Sequence, residues 1–248
     1  MNCHDYEQLI RRWRAVARAA GLRLQVIAEV DGFSVYCLRT SALQGQGGIY
    51  VSAGIHGDEP ASCAGLILWA ERHAAVLRRL PLLIFPCLNP WGLVGNLRKD
   101  AAGNDVNRMF HSEMHPTVAG ILRVCEGLGF GSAILLHEDY DAHGIYLYEH
   151  SRGHFCGEKI LEAASTCIAR DSRTNIDGRK ARQGVLRPRL RMEHFNKSGY
   201  PEAVWLHLRG CKRTITFETP SEAALQPRCE SHVAALSALV REHLGQKS

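Results

Sequence analysis

A single α/β domain, with a mixed, mostly parallel twisted sheet and helices on both faces, is the fold this sequence predicts. Three observations carry that reading. Strand-like and helix-like segments alternate along the chain. Several strand-like segments, such as Leu82-Leu83-Ile84-Phe85 and Ala133-Ile134-Leu135-Leu136, are apolar throughout, as strands buried on both sides are. The 248 residues, 46% hydrophobic and 22% charged, suffice for one sizeable core. With no repeat, low-complexity tract or linker in view, one domain over residues 1–248 is expected.

Residues 6–19 read as a helix, because Leu9, Ile10, Trp13, Val16 and Ala17 share one face. Leu22 to Val30 and Phe33 to Leu38 read as strands joined at Asp31-Gly32, a hairpin signal. Gly48 to Ile55 is a third strand. Pro60 to Leu77 reads as a helix, with Pro60 suited to its first position and Asp58 or Glu59 near its cap. Pro81 to Leu88 is an apolar strand, and Asn89 to Ser112, punctuated by Pro, Gly and Asn, a long loop of the kind that tends to carry function. Helices are expected over Pro116 to Leu128, Gly157 to Ala169 and Arg228 to Leu244, and strands over Ser132 to Leu136, Gly144 to Tyr148 and Arg213 to Phe217. Arg170 to Tyr200 shows no clear period.

The nine cysteines are odd in number and form no Cys-x-x-Cys pair, and several lie inside apolar runs. That pattern fits free buried thiols in a reducing, cytoplasmic setting better than a disulfide framework or a thiolate metal site. No run of 18 apolar residues is present, so no membrane-spanning helix is expected, and the first twenty residues lack the compact apolar stretch of a secretory signal. The formal charge is +5, with twelve Lys/Arg against four Asp/Glu between Arg170 and Arg213. No nucleic-acid motif is recognised, and the densest basic part, Arg170 to Arg191, holds no aromatic residue on which a base would stack. A solvated basic surface is the plain reading of this stretch. Its place between His137 and Glu218 predicts instead that it folds over a site mouth, where Arg187, Arg189 and Arg191 would favour anionic substrates.

Four strand-like runs end in a polar residue that chemistry can use: His56, Asn89, His137 and Glu218. Sites in open α/β sheets lie at the carboxyl ends of strands, so residues distant in sequence can converge there. His56 and Glu59, three apart on a tight turn, can both reach one metal ion, and His137 would complete a two-imidazole, one-carboxylate set that leaves a position open. Taken alone, His56 with Glu59 also fits a hydrogen-bonded turn, and His137 a satisfied core histidine. His111, His115, His143 and His150 are read in that structural way. Glu218 is placed to act as a general base. In the long loop, Arg98 is placed to stabilise an oxyanion, and Asn107 and Arg108 to hold a substrate carboxylate.

With His56-Gly57-Asp58-Glu59, Asn89-Pro90-Trp91-Gly92, Arg98-Lys99, Asp105-Val106-Asn107-Arg108, His137 and Phe217-Glu218 in this order, the chain resembles the zinc carboxypeptidase family, the carboxypeptidase A-like metallopeptidases with their succinylglutamate desuccinylase and aspartoacylase relatives. The resemblance covers about residues 48–220. It implies one zinc ion per chain on His56, Glu59 and His137, Glu218 as general base, Arg98 as oxyanion stabiliser, and Asn107 with Arg108 as the grip on a terminal carboxylate. It also implies a mixed eight-stranded sheet between helices. The family's peptidases usually carry Asp where Trp91 stands, and place a tyrosine on a mobile loop, for which Tyr200 is the candidate. The expected activity is hydrolysis of an amide beside a free carboxylate in small peptides, including cell-wall peptides. The alternatives are deacylation of N-acyl amino acids and, from another class, a non-catalytic binding protein.

Overall fold

The computed structural model describes residues 3–112, 114–190 and 199–245. Ten strands form one sheet in the order β1-β2-β4-β3-β5-β10-β6-β9-β8-β7. Its central strands are β3 (Gly48–Ala53), β4 (Leu82–Phe85), β5 (Phe130–Asp139) and β10 (Arg213–Pro220), all parallel to their neighbours within this group. Antiparallel partners flank them: the hairpin β1 (Leu24–Val30) and β2 (Phe33–Arg39) on one side, and β6 (Tyr146–Ser151) on the other. The short strands β7 (Asn175–Ile176), β8 (Arg179–Arg182) and β9 (Val185–Leu186) extend the sheet beyond β6 and bring its strands to ten rather than eight. The fold class is the expected one, a mixed α/β sheet whose parallel pairing is concentrated at its centre.

Period-two alternation sends each central strand into two cores. Ile49, Val51, Ala53, Ile134, Leu136, Ile215 and Phe217 pack beneath α1 (Tyr6–Ala19), α2 (Pro60–Arg72), α6 (Gly157–Ala164) and α8 (Leu225–Gly245). Tyr50, Leu83, Phe85, Ala133 and Leu135 face the other way, towards α5 (Pro116–Val124) and α7 (Glu202–Leu208). All nine cysteines are free, seven of them buried, as expected for small core residues. No described helix is long and apolar enough to cross a membrane.

Two expectations are corrected, and the basic stretch, for which no element was expected, gains short strands. The helix from Pro60 breaks at His73, whose φ of −111° is not helical, and a single turn, α3 (Ala74–Leu77), follows. The segment from Asn89 is not all loop: Asn89 accepts a hydrogen bond from the Gly92 amide and starts α4 (Pro90–Gly95), and a 3-10 turn covers Val106–Arg108. The basic stretch is ordered in its described part by two tight turns, at Asp177-Gly178 and Gln183-Gly184, where all four residues have positive φ.

Candidate metal centre and cleft

β3 ends at Ala53, and the next residues turn sharply so that His56 and Glu59 stand at the carboxyl end of the sheet. The turn passes so close to α4 that a Cβ on Gly57 would lie 1.9 Å from the Gly92 carbonyl carbon. Only glycine fits there. Glu59 is the N-cap of α2 but makes no capping hydrogen bond. Its two oxygens go instead to His56 Nδ1 at 2.6 Å and His137 Nδ1 at 2.8 Å, and the Glu138 amide donates to Glu59 Oε2 at 3.1 Å. The helix start is served by Glu138, which accepts from the Ala61 amide at 2.6 Å and pairs with Arg228.

His137 and Glu218 are direct register partners on the parallel strands β5 and β10. They therefore project from the same face of the sheet, one strand spacing apart. All of His56, Glu59 and His137 are buried, and one ligand atom from each lies within 4.8 Å of the others. The donor set fits a divalent cation such as zinc: two imidazoles and one carboxylate, with both Nδ1 atoms turned to the Glu59 carboxylate. His56 Nε2 faces outward to Asp105 Oδ1 at 3.3 Å, the carboxylate partner that orients a ligating imidazole.

The charges respond to this crowding. Burial alone would lower the His56 pKa, but the Glu59 carboxylate and the bonds to Asp105 and Glu59 raise it to about 9. Against its own burial, Glu59 is held well below the usual carboxylate range by His56 and His137. The Glu218 carboxyl makes no hydrogen bond or ion pair with a described residue. Burial, opposed by His137 and reinforced by Glu59, Asp139 and Asp177, pushes it up to about 8. Such a carboxylate holds and releases a proton near neutral pH.

These residues open into a cleft of about 420 Å³. Its floor runs away from His137 and Glu218 along the same sheet face, past Leu135 and Thr216, to Tyr146, Tyr148 and His150 of β6. Arg98 stands at the rim, 3.7 Å from Glu59 and 3.2 Å from Asp105. Its position is set by Asn89, whose Nδ2 donates to the Arg98 carbonyl at 3.3 Å, so Asn89 serves as cap and anchor rather than as a reacting group. Asn107 and Arg108 also line the cleft, with the Asp105 carboxylate that pairs with Arg98 accepting the Asn107 amide at 3.0 Å. Every expected ligand, base and clamp therefore meets in one cleft except Tyr200. Tyr200 is not among the cleft-lining residues; its ring lies edge-on to His111 at 6.2 Å, and its carbonyl accepts from the Phe110 amide. Nor does Arg187 reach the cleft, because Glu149 and Glu158 hold it on the outer side. Arg189 does line the cleft, together with Arg179, whereas Arg191 lies outside the described residues.

Asp139, Tyr146, Tyr148, His150, Asp177 and Arg179 also line the cleft, and the sequence patterns assign none of them a role there. Tyr146 donates to Asp139 at 2.9 Å and Tyr148 to Asp177 at 2.5 Å. The Asp177-Gly178 hairpin signal could have pointed to Asp177 and Arg179. His150, expected as a core or surface histidine, is half-buried, and burial with His207 and Arg179 nearby lowers its pKa to about 4.

Residues 46–125 match the family model of the succinylglutamate desuccinylase/aspartoacylase catalytic domain. The fold is zinc-carboxypeptidase-like. A candidate metallopeptidase from Shewanella amazonensis superposes with a TM-score of 0.85 at 18% identity, covering 97% of this chain and 94% of that one. A metallo-carboxypeptidase from Burkholderia cenocepacia gives a TM-score of 0.72 at 16% identity, over 98% and 70% of the two chains. Bovine thrombin-activatable fibrinolysis inhibitor, solved in complex with tick carboxypeptidase inhibitor, gives 0.67 at 14% identity, over 99% and 100%. No curated protein matches the chain by sequence. The resemblance read from the motifs, to the carboxypeptidases and their deacylase relatives, is borne out by these likenesses.

Proposed function

We propose that the chain is a zinc metallocarboxypeptidase that hydrolyses an amide bond beside a free carboxylate in small peptides, cell-wall peptides among them, within the cytoplasm. One observation carries this reading: a buried His56-Glu59-His137 donor set stands beside Glu218, a buried carboxyl without an ion partner among the described residues, in a cleft walled by Asn107 and Arg108. Structural histidines would need no such base at their side.

His56, Glu59 and His137 would hold one zinc ion, which when bound polarises the scissile carbonyl and makes water a better nucleophile. Glu218 takes a proton from the attacking water and returns it to the leaving amine nitrogen. Arg98 places its guanidinium where negative charge develops on the carbonyl oxygen. Asn107 and Arg108 hold the substrate carboxylate and so fix the scissile bond relative to Glu218. The cleft beyond them accepts the side chain of the terminal residue. Arg179 and Arg189 line it without an ion pair to a described residue, which favours anionic side chains.

A second reading, a deacylase of N-acyl amino acids, is favoured by the matched family model over residues 46–125. Its chemistry is the same; the acyl part differs. Digestion of two substrate pools by the zinc-loaded protein, read by mass spectrometry, separates the two. Loss of C-terminal residues from short peptides supports the peptidase; release of acyl groups alone from N-acyl amino acids replaces it with the deacylase. Cleavage in neither pool contradicts both.

A further inference from the structure

Glu202 is a carboxylic acid with no exposure to solvent, and it has no lysine or arginine partner among the described residues. Burying such a group is costly unless its oxygens are satisfied. Here both are: Glu202 Oε1 accepts from the Tyr50 hydroxyl at 2.5 Å and Oε2 from the Ser52 hydroxyl at 2.9 Å. Tyr50 and Ser52 point from the same face of β3, the strand that leads directly to His56. The first turn of α7 is thus tied to the strand that carries the metal turn. Glu202 is also the first residue of α7, where backbone amides lack a partner inside the helix. Its amide donates to Asn107 Oδ1 at 2.9 Å. A backbone N–H can only donate, so this contact fixes which end of the Asn107 carboxamide faces it. The Nδ2 donors of Asn107 remain for the cleft, which Asn107 lines.

We propose that Glu202 is a positioning residue for substrate binding: its carboxylate, anchored on Tyr50 and Ser52, holds the start of α7 where the Glu202 amide fixes the Asn107 carboxamide with Nδ2 turned to the substrate carboxylate. The proposal rests on the reading that Asn107 grips that carboxylate. It explains why a buried acid is placed here: an apolar residue would fill the space but would leave the Tyr50 and Ser52 hydroxyls unpaired and α7 free to shift. It also links metal turn and substrate grip, since one strand supports both.

The test uses the zinc-loaded full chain and a short peptide, with a free C-terminal carboxylate or as its C-terminal amide. Glu202→Ala is expected to raise KM for the free-carboxylate peptide about tenfold, the cost of roughly one hydrogen bond. Its zinc content, its kcat and its kcat/KM for the slow cleavage of the amide should stay near wild type. Glu202→Gln, which keeps the shape and one acceptor, should recover most of the loss, and Ser52→Ala, which keeps the acid, should show a smaller rise in the same direction. Glu202→Ala combined with Asn107→Ala should be no worse than Asn107→Ala alone. Equal losses on the two peptides, additive losses in the double variant, or loss of zinc would overturn the proposal; should Glu202→Ala fail to fold, Glu202→Gln and Ser52→Ala decide the same question. Asn107→Ala separates the two levels: no change in KM there refutes the reading of the carboxylate grip, whereas a rise in KM that no Glu202 or Ser52 variant reproduces refutes only the role of Glu202.

Discussion

Glu59, the N-cap of α2, forgoes a capping hydrogen bond and bridges His56 and His137 instead, the three side chains forming a donor set that fits a cation. Two substitutions separate holding the metal from using it. Glu218→Gln should keep zinc but lose about 10²–10⁴-fold in kcat, the usual share of a general base, as steady-state kinetics beside metal analysis would show. His137→Ala should instead release zinc on dialysis. Full turnover in the first variant would remove Glu218 from the mechanism. Asp105→Asn, which weakens the carboxylate behind His56 Nε2, should weaken zinc binding roughly 10–100-fold in a chelator competition. At this scale the sequence is informative: His56, Glu59, His137 and Glu218 can be named because they stand at or just past the ends of strand-like runs. Asp105 lies in the Asp-Val-Asn-Arg motif, but its role is not legible there, because its partner is 49 residues away. Tyr200 follows from resemblance alone, and the chain places it against His111 instead.

Elements bring these residues together by register and close approach. The pairing of Glu218 with His137 across β10 and β5 follows from parallel strands whose apolar faces fix the alternation. The turn of His56 to Glu59 is pressed on α4 at Gly57. Gly57→Ala should therefore force backbone apart, costing about 1–3 kcal/mol or more in denaturant unfolding and weakening zinc retention together. A stable variant with normal zinc would mean that this contact does not position the turn. The sheet beyond β6 explains the basic stretch. Its hairpins carry Arg179 to the cleft and lead into Arg189, so charge reversal at these two residues should raise KM for acidic substrates more than for neutral ones. Equal effects would remove them from specificity. These hairpins escape a periodicity reading because strands of two to four residues have no period to detect. The seven-residue helix α7, and with it Glu202, is hidden for the same reason.

Across the whole molecule, the two cores on either side of the sheet hold the central strands, and their alternating apolar residues make the fold class readable. Buried polar groups tune its stability. His232 on α8 is fully buried, 3.2 Å from the Thr219 hydroxyl, and its pKa is lowered to about 3, chiefly by burial and by Arg228. The folded state then binds fewer protons than the unfolded one below the ordinary histidine pKa of about 6.5. Its contribution is present above that pH and is lost as pH falls towards about 3. Between pH 6.5 and 5 the loss should be roughly 2 kcal/mol. Urea unfolding across this range should show a shallower pH dependence in His232→Gln; an unchanged slope would mean that His232 does not titrate in this way.

The central claim joins a zinc centre at His56, Glu59 and His137 to hydrolysis beside a free carboxylate. Its most direct test is the cleavage, followed by mass spectrometry, of one short peptide and its C-terminal amide by the zinc-loaded protein. Release of the C-terminal residue from the free acid is expected, with little from the amide, and with loss of activity when zinc is chelated. Equal cleavage of both forms, or activity that survives chelation, would contradict it.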